Sequence, residues 1–98
     1  MRTTRSIVWQ DRWASRRPVA IRDGLEKLWS GSTIALLKSA KSVTLLTRAG
    51  SEVIVGDLQH QADGEWTGTI LKFASGADHL TLGVTVHFHE DNVLGATV

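Results

Sequence analysis

Leu80-Thr81-Leu82-Gly83-Val84-Thr85-Val86-His87-Phe88-His89 alternates apolar and polar side chains at period two, with Leu80, Leu82, Val84, Val86 and Phe88 on one parity. Successive side chains of a strand point to opposite faces, so this run predicts a strand with one buried face and with His87 and His89 on the other. Upstream, Ser42-Val43-Thr44-Leu45-Leu46-Thr47-Arg48 is rich in strand formers, Ala49-Gly50-Ser51 supplies a turn, and Glu52-Val53-Ile54-Val55-Gly56-Asp57-Leu58 returns as the hairpin partner. Residues 59–64 read as a polar loop closing on Asp63-Gly64, residues 65–73 as the next strand and residues 74–79 as another loop. Asn92-Val93-Leu94 reads as a single turn leading to a short closing strand. Short strands joined by tight turns in a small chain avoid open edges by curling. Gly56 and Gly68, each inside a strand, are the expected bends. The expectation is a small five-stranded antiparallel barrel over residues 31–98.

The first 30 residues carry a different pattern. Ser6-Ile7-Val8-Trp9 suits a short strand or an arm, and Ser15-Arg16-Arg17-Pro18 suits a helix start with a serine cap and a first-turn proline. Ile21, Leu25, Leu28 and Trp29 fall on one helical stripe, which predicts a helix over 18–29. Gly24 works against it, and Asp23-Gly24 also suits a turn after a strand Val19-Ala20-Ile21. Ser30-Gly31-Ser32 ends the element in both cases. The expected fold class is mainly β with an N-terminal α-helix, in one domain over 1–98.

The 98 residues hold 11 Lys+Arg, 10 Asp+Glu and no Cys, with 42% hydrophobic and 21% charged side chains. That length and balance fit one globular domain with a modest core, which gains from a neighbouring subunit; a homo-oligomer is expected. The absence of cysteine excludes a disulfide framework, thiolate metal sites and a thiol nucleophile. No run approaches the ~18–20 apolar residues of a spanning helix. After Arg2 and Arg5 only Ile7-Val8-Trp9 precedes Gln10 and Asp11, so neither a secretory leader nor a membrane role is expected, and the reading is a cytoplasmic protein. Charge is uneven: residues 1–50 carry ten basic against three acidic side chains, whereas in residues 51–98 Lys72 stands alone against seven acids. Such a split suits either a phosphate-seeking surface or complementary faces that meet within or between chains.

The strand, turn and bent strand from Val43 through Gly50 and Gly56 to Leu58 resemble the first half of the Sm/Hfq RNA-binding barrels, in which a helix precedes this element. The resemblance implies an SH3-like barrel and carries over Arg48 as a generic basic residue near the turn. Trp66-Thr67-Gly68-Thr69-Ile70, followed by Gly83-Val84-Thr85-Val86-His87-Phe88, is similar to the small plasmid-type dihydrofolate reductases, SH3-like barrels that share a central pore. Val86 stands where that family has its pore glutamine, which argues against folate chemistry. Both resemblances, covering about residues 43–90, support fold more than function.

Arg5, Trp9, Arg12, Trp13, Arg16 and Arg17 interleave guanidinium groups with indoles. Arginine pairs bidentately with phosphate or carboxylate and indoles stack on bases, so this is the candidate nucleic-acid or acidic-partner surface. The competing account buries Trp9 and Trp13 against the barrel while the arginines remain solvated or pair with the acidic half. His87-x-His89 places two imidazoles on one strand face, short of the three or four ligands a metal needs, so neither metal nor cofactor is expected. No nucleophile elbow, phosphate loop, zinc-protease motif or dinucleotide fingerprint is present. The sequence therefore suggests a non-catalytic binding or adaptor module. The alternative is a homo-oligomeric small-molecule binder or enzyme with an intersubunit pocket that includes Trp66 and His87.

Overall fold

Asp23 and Gly24 have φ of 53° and 77°, the paired positive values of a type I′ hairpin turn, in the computed structural model, which describes residues 4–12, 16–74 and 81–98. They join β2 (Val19–Arg22) to β3 (Leu25–Leu28), following the two-residue β1 (Thr4–Arg5). The helix expected over 18–29 is therefore a hairpin. Its apolar stripe also fits two short strands, and a residue at φ 77° cannot continue a right-handed helix.

The helix lies further on, as α1 (Thr33–Ser39), and Ser30-Gly31-Ser32 leads into it. The Ser32 hydroxyl accepts the Ala35 amide at 3.3 Å, capping an amide that has no partner inside the helix. Ser32→Ala is expected to cost about 1 kcal/mol of stability, read from the denaturant midpoint, with Ser32→Asp close to wild type.

The remaining elements are β4 (Ser42–Leu46), β5 (Glu52–Ala62), β6 (Glu65–Phe73), β7 (Thr85–His89), a 3-10 turn (Glu90–Asn92) and β8 (Gly95–Thr97). They form one sheet in the order β1-β7-β6-β5-β4-β8-β2-β3, eight strands when the two-residue β1 is counted. The sheet is mixed, since β1–β7 and β2–β8 are parallel pairs. The end strands β1 and β3 do not pair with each other among the described residues. This open mixed sheet replaces the expected closed five-stranded SH3-like antiparallel barrel with its N-terminal helix. The additional strands come from residues 4–5 and 19–28, and the short closing strand expected after residues 92–94 is β8, which inserts between β4 and β2.

The β4–β5 hairpin stands as expected, with its turn centred one residue earlier, on Arg48 and Ala49, and closed by the Gly50 amide donating to the Thr47 carbonyl. Residues 59–62 extend β5 instead of forming a loop, and residues 63–64 are the turn into β6. At the other end, Leu82 and Gly83 lie in a turn, and Leu82 is 58% exposed. The alternation holds where β7 runs: Val86 and Phe88 are buried and His87 is exposed. Leu80 lies outside the described residues.

Leu36 and Leu37 of α1 join Val43, Leu45, Val53, Val55, Ile70, Val86 and Phe88 in one core. Fully burying each such aliphatic side chain contributes roughly 1.5–3 kcal/mol. Ladder register shifts occur between Ile54 and Val55, between Gly56 and Gln59, and between His60 and Ala62. Asp57 sits in the second of these with φ 50°, so the bend expected at Gly56 is present as a β-bulge.

Candidate anion-binding cleft

Residues 9–12 are attached at several points to strand ends formed far away in sequence. Trp9 bridges Thr47 and donates its indole N–H to the His87 carbonyl at 2.7 Å. The Gln10 amide donates to the Leu46 carbonyl, and the Arg12 amide to the Asp91 carbonyl. Asn92, buried in the 3-10 turn, donates to the Asp11 carboxylate at 2.7 Å and to the Gln10 carbonyl at 3.4 Å. These bonds fix where the Arg12 side chain begins.

Arg12, only 11% exposed in its side chain, reaches Thr33 Oγ1 at 3.4 Å and Asp91 Oδ1 at 3.8 Å. Its Nε is buried with no hydrogen-bond partner among the described residues, an uncommon state for a charged group. Arg17 donates to the carbonyls of Ser30 and Gly31 at 2.9 and 3.3 Å, which holds it beside the approach to α1. Pro18 is buried, and its carbonyl accepts the Trp29 amide. Arg12, Arg16 and Arg17 together line a cleft of about 690 Å³ whose apolar floor is Val19, Leu28 and Leu94. The same three arginines line a smaller cavity of about 310 Å³ that continues to Ser32 and Thr33. Asp91, 67% exposed in its side chain, stands 3.8 Å from Arg12.

Of the residues singled out in the sequence, Arg12, Arg16 and Arg17 converge on this cleft. Trp9 does not; it is 7% exposed and part of the core. Trp13 lies outside the described residues, and Arg5 is described only through its main-chain pairing with Val86. Thr33 and the apolar floor escaped the sequence reading, because they come from α1, the β2–β3 hairpin and the segment before β8, brought together only by non-local pairing.

Trp66 and His87 sit on opposite faces of the sheet. Trp66 is 3% exposed, pairs across to Phe88 and donates its indole N–H to Glu90 Oε2 at 2.9 Å. His87 pairs across to Thr67 and lines a polar groove of about 330 Å³ with Asp57, Gln59, Thr69 and Thr85. His89 accepts the Asp91 amide on Nδ1 at 3.0 Å. Asp91 Oδ2 stands 3.4 Å from the same nitrogen. Among the described residues no three His, Cys, Asp or Glu side chains gather as a metal site would require. No helix among them is long and apolar enough to cross a membrane.

Comparison of the chain with protein-family models, with curated proteins and with solved structures returns no match.

Proposed function

We propose that this domain is a binding module that receives an anionic group of an acidic protein partner between Arg12, Arg16 and Arg17. The observation that carries the reading is the meeting of three arginines over one apolar floor. A guanidinium is a planar fork whose geometry matches a carboxylate or phosphate. Val19, Leu28 and Leu94 favour an anion attached to an apolar body, which a protein segment supplies and a bare phosphate backbone does not. Base stacking on Trp9 is not part of the proposal, because that ring is in the core.

The test is titration with a fluorescent peptide alternating valine and glutamate, at low and high salt, beside a single-stranded oligonucleotide. A charge-assisted hydrogen bond contributes about 1.5–3 kcal/mol, so the Arg16→Ala/Arg17→Ala double variant is expected to weaken the peptide tenfold or more. Salt is expected to weaken it further. Equal affinity of the double variant, or no binding at low salt, overturns the proposal. Tighter binding of the oligonucleotide assigns the cleft to nucleic acid.

A second reading concerns the groove beside His87, where the Thr69 and Thr85 hydroxyls are buried with no partner among the described residues. A small hydrogen-bonding ligand would satisfy them. Thr69→Val/Thr85→Val is expected to be neutral or stabilising in thermal melts, since it removes unsatisfied groups without changing shape; a clear loss of stability would mean that the hydroxyls already have partners.

A further inference from the structure

The chain has two Asp-Gly pairs, Asp23-Gly24 and Asp63-Gly64, and each is the two-residue loop of a hairpin, closed by Arg22–Leu25 and by Ala62–Glu65. An aspartate followed by glycine is the sequence in which the next main-chain nitrogen attacks the side-chain carboxyl most readily, because glycine has no Cβ to hinder the approach. Local sequence offers both pairs to this reaction, and tertiary structure separates them.

Among the described residues nothing closes over Asp23-Gly24. Both residues are exposed, as is all of β3, and a Cβ built on Gly24 would meet no atom within 4 Å. The Gly24 amide also lies outside the ladder. The Ile21 carbonyl accepts the Val98 amide on the β8 side of β2, so the alternation of an antiparallel pair makes Arg22–Leu25 the bonded pair that closes the loop. Asp23 holds φ at 53°, a conformation that L side chains disfavour, and opening the loop relieves it.

Asp63-Gly64 is held from two sides. A Cβ on Gly64 would collide with the His89 ring, standing 3.0 Å from Cε1 and 3.1 Å from Cδ2, so the imidazole lies over this glycine. The Gly64 carbonyl accepts the Glu90 amide at 2.9 Å, and His89 pairs across to Glu65. Cyclisation has to rotate the Asp-Gly peptide. Here that rotation would press Gly64 into the ring and pull its carbonyl from Glu90.

We propose that Asp23 is a modification site at which the folded chain forms isoaspartate spontaneously, whereas Asp63 is protected by the cover of His89 and Glu90. In the first step the Gly24 nitrogen bonds to Cγ of the protonated Asp23 carboxyl. The amide proton and the carboxyl OH leave together as water, and a cyclic succinimide remains. In the second step water adds at the Asp23 main-chain carbonyl carbon and the bond from that carbon to the Gly24 nitrogen breaks. The chain then runs through Cβ and Cγ, the former main-chain carbonyl is a free carboxylate, and mass is unchanged. The product carries an additional carbon in a loop whose length sets the hairpin register, so it loosens β3 from its closed end.

The test ages the intact chain at neutral pH and body temperature and maps it with an endoprotease that cuts before aspartate and not before isoaspartate. A parallel sample in concentrated urea reports both rates without the fold. In urea the two pairs are expected to react at similar rates. In the folded chain, resistance to cleavage is expected to accumulate several-fold faster at residue 23 than at residue 63, with unchanged peptide mass. Amide exchange at Leu25 and Lys27, which face β2, is expected to quicken in the aged chain. Equal rates in the folded chain, a faster rate at residue 63, or reaction at both pairs in urea and at neither in the folded chain would each overturn the proposal. His89→Ala removes the cover and is expected to raise the rate at residue 63 toward that at residue 23; an unchanged rate in the folded variant overturns the role given to the ring. The comparison within the wild-type chain needs no variant, so it decides the proposal even if His89→Ala fails to fold.

Discussion

Trp9→Ala is expected to lower the unfolding free energy by about 3–5 kcal/mol, the usual cost of truncating a buried large aromatic. The ring is 7% exposed, belongs to the core and bonds the His87 carbonyl at 2.7 Å. Truncation leaves a cavity and an unsatisfied carbonyl together. Because whole domains have only about 5–15 kcal/mol of stability, the alanine variant is expected to lose a large fraction of it. Trp9→Phe keeps most of the apolar contact and loses the indole donor, so about 1–2 kcal/mol is expected for it. Urea titration with unchanged slope is the measurement for both. The phenylalanine variant carries the functional consequence: the ring is one of several attachments of residues 9–12, so Arg12 is expected to be less well placed and the acidic peptide to bind more weakly. A loss below about 1 kcal/mol in Trp9→Ala would contradict burial and restore the indole as a recognition element.

Gly68→Val is expected to abolish the folded state. A Cβ built on Gly68 collides with Cγ1 of Val55 and stands 2.8 Å from the Gly56 carbonyl oxygen, which belongs to the β5 backbone and cannot rotate away. Gly68→Ala is expected to cost about 3 kcal/mol or more, at the upper end of overpacking effects, because relief requires moving the ladder of β5 and β6. Gly56→Ala is the informative contrast. Its Cβ meets Leu71 Cδ1 at 2.5 Å, but Leu71 is 53% exposed and can turn toward solvent, so about 1 kcal/mol is expected. Thermal melts of the two alanine variants should therefore separate clearly, with Gly68→Ala the lower. Equal melting temperatures would mean that β5 yields at the bulge and that Gly68 is not what sets the strand spacing.

The legible parts of this fold are those encoded by neighbours in the chain. Val43, Leu45, Val53 and Val55 alternate in a way that nothing but a half-buried hairpin satisfies, and Val86 with Phe88 does the same for β7. Residues 18–29 were ambiguous because Ile21, Leu25, Leu28 and Trp29 suit a helix stripe as well as two short strands. The conflict is resolved by β8, some seventy residues away, whose Gly95, Ala96 and Thr97 pair with Val19, Ala20 and Ile21 and give β2 a ladder that a helix would forfeit. Gly95 makes the approach feasible, since a Cβ there would stand 2.8 Å from Val19 Cγ2. The candidate site divides in the same manner. The cluster of arginines is visible in the sequence, whereas its apolar floor and the fate of Trp9 depend on which strands become neighbours.

Composition and local periodicity by themselves determined a mainly β fold, the hairpin of β4 and β5, the inward face of β7 and a basic segment set apart from an acidic half. Tertiary structure alone decided that the sheet stays open, that β1 and β8 enter it by parallel pairing, that the helix belongs to residues 33–39 and that Arg12, Arg16 and Arg17 share one cleft. Side-chain alternation reports which face of a strand is buried but carries no information on which strand lies beside it. That choice is made by burial and by hydrogen bonds between residues distant in sequence, and the arginine cleft is its product.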